Sequence, residues 1–164
     1  MRFAPAAAAL SLVLAITASV TGAQQREADP RAAALIEQGE TLLAAGETQG
    51  AIDAYEAALA VDPGYTPILI HLAEVARSEG LQGKAIRYYR ETLVRDPGNF
   101  AAISGEGAAL VEKGAVEKAR EKLAELESLC GSGCPETVAL QARIEAGPPA
   151  RLAADTPEDA PATN

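Results

Sequence analysis

The side chains whose type and spacing bear on chemistry are few: Cys130 and Cys134 in Cys-Gly-Ser-Gly-Cys, and a single histidine, His71. In an oxidising compartment, cysteines this close read as a disulfide, and two glycines let the small ring close. The chain-entropy model assigns such a loop roughly 2 kcal/mol. This reading makes the pair a staple. The alternative is a redox-active pair in which the start of a helix at Pro135 acidifies Cys134. Against it, the spacing is Cys-x-x-x-Cys, not Cys-x-x-Cys, and no βαβ pattern surrounds it. A metal site needs more ligands than these two, and His71 is far away in sequence. His71 stands beside Ile70 and Glu74, with no nucleophile–base–orienter set signalled around it. Phosphate-binding glycine loops, metal-binding helix motifs and nucleophile elbows are absent from the sequence. The expectation is a protein without catalysis, metal or cofactor.

The elements that would position such residues follow from composition. Of 164 residues, 48 % are apolar and only 4 % aromatic, with no tryptophan. The apolar content is mostly Ala, Leu, Val and Ile, which suits close helix packing better than a sheet core. The formal charge is −9 and no Lys/Arg run stands out. Nucleic-acid binding rests on phosphate neutralisation by a basic patch, so a nucleic-acid partner is not expected.

The amino-terminal stretch has its own pattern. Arg2 is followed by an uncharged, apolar run from Phe3 to Val20, then by Thr21-Gly22-Ala23 and the polar Gln24-Gln25-Arg26-Glu27. This is a signal-peptide layout, with cleavage expected after Ala23 and no stable membrane insertion afterwards. The location it implies is periplasmic or secreted. An uncleaved membrane anchor is the alternative, although the run is near the lower limit for spanning and Pro5 interrupts its start.

A beat of 34 residues organises the rest. Gly46, Gly80 and Gly114 keep it, as do Ala51, Ala85 and Ala119, and Gly39, Ala73 and Gly107. Leu35, Leu69 and Ile103 form an apolar column; Tyr55 and Tyr89 form another, continued by Leu123. Each unit reads as two helices. The first helices are about 32–45, 67–78 and 101–113; the second are about 48–61, 81–95 and 115–129. Gly46, Gly80 and Gly114 stand where the first helix must stop and reverse. Asp62-Pro63 and Asp96-Pro97 end second helices, and Thr66-Pro67 reads as an N-cap followed by Pro at the first helical position. Gly39, Ala73 and Gly107 fall mid-helix, where glycine costs roughly 1 kcal/mol relative to alanine, so close approach of a bulky neighbour is expected there. Ala51, Ala85 and Ala119 are expected to supply the opposing contact, and Tyr55, Tyr89 and Leu123 to fill the space between units.

These columns resemble the tetratricopeptide repeat family. The resemblance covers about 32–133 and is specific as to fold. It departs from the family in lacking the first aromatic, and the third unit lacks both Tyr and Pro. It implies an all-α, right-handed solenoid of three helix-turn-helix units, 32–65, 66–99 and 100–133. A cap helix over 135–146 would cover the last apolar face. The expected flanks are the signal peptide 1–23, a lead-in over 24–31 and a disordered tail over 147–164. The resemblance also implies a protein or peptide ligand held on the face of the first helices. In this register that face carries Ile36, Glu40 and Leu43; Ile70, His71, Glu74 and Arg77; and Ser104, Ala108 and Val111. With Glu40, Glu74 and one Arg77 there, a clamp for a terminal carboxylate is not expected, and a basic or apolar ligand fits better. The charged residues of the second helices, including Arg90 and Lys122, read as a solvated face.

Overall fold

The computed structural model describes residues 26–150, which form seven helices. The expected signal peptide and most of the expected tail lie outside the described residues. The helices are α1 (Pro30–Ala44), α2 (Thr48–Val61), α3 (Pro67–Ser78), α4 (Gln82–Arg95), α5 (Phe100–Glu112), α6 (Val116–Cys130) and α7 (Pro135–Ala146). They pack pairwise in chain order, α1 on α2, α3 on α4 and α5 on α6, and α7 closes against both α5 and α6.

The helix ends follow local chemistry. Gly46, Gly80 and Gly114 have φ of +81°, +74° and +86°, so they end α1, α3 and α5 in the left-handed conformation that glycine adopts without strain. The Asp29 side chain accepts a hydrogen bond from the Arg31 N–H and Pro30 opens α1, so the lead-in is shorter than the sequence suggests. Arg26 and the Asp29 N–H also donate to the buried Asp62 carboxylate at the end of α2, at 2.8 and 3.0 Å. α5 starts one residue before its expected Ala101, because Asn99 Oδ1 accepts from the Ala102 N–H at 3.0 Å. Thr66 occupies the N-cap position of α3 but makes no capping hydrogen bond. Pro67 lacks an N–H, and its preset φ is what the sequence supplies there.

Helices interlock through glycine notches filled by large side chains. A Cβ at Gly39 would lie 2.5 Å from the Tyr55 ring, and one at Gly107 would lie 2.6 Å from a Leu140 methyl. The bulky partners are therefore the tyrosine column and the cap helix rather than the alanine column. Ala51, Ala85 and Ala119 are fully buried in the core. Leu140, 1 % exposed, anchors α7 in a small apolar cluster with Ile103 and Leu126. Between α6 and α7 the Cys130 and Cys134 sulfurs lie at bonding distance, 2.22 Å, and Cys130 Sγ is 3.6 Å from the hydroxyl of the buried Thr137. The short loop thus ties the end of the third unit to the cap.

Candidate functional site

α3, α5 and α7 lie side by side and turn one face each into a shared cleft of about 480 Å³. From α3 come Glu74 and Arg77, from α5 Ala101, Ser104, Gly105 and Ala108, and from α7 Glu136, Ala139, Leu140 and Arg143. On α5 and α7 these positions step by three, one and three residues, which keeps each set on one side of its helix. The Ser104 hydroxyl donates to the Glu136 carbonyl at 3.1 Å and stitches α5 to α7 along the cleft.

Tyr89, from α4, supplies part of the floor. Successive units pack this tyrosine differently. In the second unit His71 stacks on the Tyr55 ring, with centroids 5.1 Å apart and planes 16° from parallel. One repeat later Tyr89 stands where Tyr55 stood, and Gly105 stands where His71 stood. Gly105 has no side chain to cover the ring; a Cβ there would lie 2.7 Å from the Tyr89 hydroxyl and closer still to the ring carbons. With no imidazole there, the Tyr89 ring packs directly on the Gly105 backbone and is buried, and the small Ala101, Ala108 and Ala139 keep the cleft beside it wide.

A buried carboxylate organises the charges on one wall. Glu112, 7 % exposed, accepts from Arg77 Nη2 at 3.0 Å, Arg77 Nε at 3.3 Å and Gln82 Nε2 at 3.1 Å, and also from Arg143. One residue thereby joins α3, α4, α5 and α7. Burial works to raise the Glu112 pKa, but the hydrogen bonds and charges of Arg77 and Arg143 outweigh it and hold the carboxyl below its ordinary value. Burial pushes the Tyr89 hydroxyl up, against the opposing influence of Arg77. Glu74 and Glu136 have no cation within ion-pair distance among the described residues, and Glu40 meets only His71 Nε2, at 3.9 Å.

The structure sorts the residues expected on this face. Glu74, Arg77, Ser104 and Ala108 line the cleft. Glu40 and His71 lie beyond it toward α1, with the imidazole held against Tyr55. Ile36 and Ile70 are half-buried against the core, and Leu43 is exposed without lining the cleft. Val111 is a correction: it is 0 % exposed and packs in the core. α5 is the inner helix, covered by α4, α6 and α7, and four residues beyond Ala108 it is Glu112 that faces an adjoining depression shared with Glu74, Arg77 and Arg143. Arg90 and Lys122 are a second correction, because they do more than face solvent. They reach the buried Glu106 at 2.7 and 3.4 Å in a separate depression between α4, α5 and α6.

Gly105, Glu112 and the whole α7 wall were not expected at the site. The signal for α7 is present in the sequence, since Glu136, Ala139, Leu140 and Arg143 repeat the spacing of Ala101, Ser104, Gly105 and Ala108. The cap is thus built like the first helix of a further unit. Among the described residues no group of three or more His, Cys, Asp or Glu is placed to hold a metal ion.

A family model described as a tetratricopeptide repeat matches residues 32–75. No curated protein matches the chain. Solved structures of similar fold include the Sgt2 TPR domain from Aspergillus fumigatus, 26 % identical, with a TM-score of 0.62, covering 84 % of this chain and 93 % of that one. The first TPR of Spaghetti (RPAP3) bound to the HSP90 peptide SRMEEVD is 20 % identical, with a TM-score of 0.63, and covers 77 % of this chain and 97 % of that one. The Yersinia enterocolitica type III secretion chaperone SycD, in complex with a peptide of the translocator YopD, is 19 % identical, with a TM-score of 0.60, over 70 % of this chain and 86 % of that one.

Proposed function

This chain is a tetratricopeptide-repeat protein, and from that premise we propose that it works by holding a peptide segment of a partner protein in the α3–α5–α7 cleft, without catalysis. The observation that carries the reading is the cleft itself: α3, α5 and α7 turn one face each into about 480 Å³ of open space, with the exposed Ala101 and Ala139 in its lining. A concave surface of mixed polar and apolar character, with oriented charges, suits a peptide that brings an apolar side chain between polar neighbours. Two similar folds were solved with peptides, one from HSP90 and one from the translocator YopD, which supports a peptide as the ligand class.

The signal-peptide layout of residues 1–23 supports action outside the cytoplasm, in envelope assembly, secretion or maturation. The intact mass of the protein recovered from the periplasm tests that part. Loss of residues 1–23 is expected, and retention of them counts against export by cleavage.

For the ligand, a display library of random dodecapeptides is selected against the full chain. Binding of the winners is then compared with the double variant Ala101→Leu/Ala139→Leu. Both alanines are exposed and line the cleft, so leucines fill it without disturbing the core. The expected result is loss of binding with helicity unchanged. Equal binding by the filled variant contradicts the cleft as the site.

A further inference from the structure

We infer that the occupant of this cleft is a basic segment: one apolar side chain seated among Ala101, Ala108 and Ala139, flanked by lysine or arginine residues that pair with Glu74 and Glu136. The inference rests on the peptide-binding reading above and specifies its ligand.

The charges divide into committed and available groups. Arg77 and Arg143 are both turned onto Glu112, whose two carboxylate oxygens are occupied by them and by Gln82. An acidic ligand would meet guanidiniums whose charge that buried carboxylate already partly offsets. It would also enter beside Glu74 and Glu136, which line the same cleft. A basic ligand meets the reverse situation. Glu74 on α3 and Glu136 on α7 flank the apolar floor from opposite walls, and neither has a cation within ion-pair distance among the described residues. Further along the same face Glu40 has only the His71 imidazole, at 3.9 Å. The full chain carries a formal charge of −9, so its field draws a cationic segment toward it and repels an anionic one.

The apolar requirement comes from different atoms. Ala101, Ala108 and Ala139 supply the apolar part of the lining, beside the buried Tyr89 and Leu140. Water there has few hydrogen-bonding partners, and an aliphatic or aromatic side chain displaces it favourably. Charge-pairing at the rim and burial at the floor therefore select together for a basic sequence with an apolar anchor.

The probe is the random dodecapeptide library on the full chain, followed by titration of the winning peptides in rising salt. Enrichment of Lys and Arg around one Leu, Ile, Phe or Met is expected, with binding that weakens as salt rises. The variant Glu74→Lys/Glu136→Gln is expected to lose roughly tenfold in affinity and most of the salt dependence. Glu127→Lys, at an exposed position on α6, keeps both. Enrichment of Asp- and Glu-rich peptides, or tighter binding of the winners by Glu74→Lys/Glu136→Gln, overturns the basic occupant and leaves peptide binding standing. No enrichment above an unrelated helical protein overturns both.

Discussion

Replacing Gly105 by alanine separates tertiary packing from local helix preference. In a helix interior the change favours folding by about 1 kcal/mol, because alanine loses less backbone freedom than glycine. Against this, the new methyl falls within the van der Waals envelope of the Tyr89 ring. That ring is 1 % exposed and cannot swing aside as a flexible alkyl tip would. Overpacking of a buried site costs about 1–3 kcal/mol, and a rigid partner places this case in the upper part of the range. The net expectation is a loss of about 1–2 kcal/mol. Gly83→Ala serves as the control, since nothing lies within 4 Å of a Cβ there. Gly83 is the second residue of α4, so the gain is a fraction of the full propensity term, about 0.5 kcal/mol. Gly107→Ala falls between them, because its Cβ meets only the methyl ends of Leu140. Thermal melts by circular dichroism are expected to rank Gly83→Ala above wild type, then Gly107→Ala, then Gly105→Ala. The extremes should differ by roughly 6–10 °C for a folded region of this size. A Gly105→Ala melt at or above wild type would show that Tyr89 does not pack on the Gly105 backbone.

Three further outcomes follow from the same geometry. Leu140→Ala removes the anchor of α7 and should cost about 2–5 kcal/mol, with protease cleavage appearing first within 135–146; uniform loss of protection along the chain would contradict α7 as a separately docked cap. Glu112 has a folded pKa below its ordinary 4.5, so its contribution is present above that value and is lost as pH falls through the lower folded one. Glu112→Gln should therefore flatten the acid limb of a stability–pH curve in part, and adding Asp62→Asn, whose pKa is held down by the Asp29 N–H and Arg26, should flatten it further; an acid limb unchanged in both would refute the assignment. Cys130→Ser/Cys134→Ser should lower stability by about 2 kcal/mol, measured by urea denaturation against wild type purified in air; equal stability, or free thiols in the wild-type protein, would exclude a stabilising staple.

The helix pattern was legible in the sequence because its signals are local. Glycine at helix ends, Asp-Pro after second helices and proline at first helical positions place α2, α3 and α7 at their observed bounds. The start of α5 was less legible, since Asn99 caps through a side-chain bond that no periodic column marks. The cleft was only half legible. The spacing along a single helix was enough to find Glu74, Arg77, Ser104 and Ala108, but it continued the α5 line to Val111, which the inner helix buries in the core while Glu112 faces the adjoining depression. Gly105 is visible in the sequence only when His71 and Gly105 are compared across the repeat. Its consequence, a Tyr89 ring packed directly on the Gly105 backbone, depends on the packing of one unit on the next. The Arg77–Glu112–Arg143 junction joins residues more than thirty positions apart and leaves no periodic trace.

Photo-crosslinking inside the native cell bears most closely on whether the cleft is where a peptide docks. A photoreactive residue is placed at Ala101 or Ala139 in the cleft, or at Val94, which is 83 % exposed and lies in the depression between α4, α5 and α6. Ala101 and Ala139 are expected to capture the same short segment of one partner, with an apolar residue between basic ones, and Val94 is expected not to capture it. Capture from Val94 alone, with both cleft positions silent, would contradict docking in the cleft.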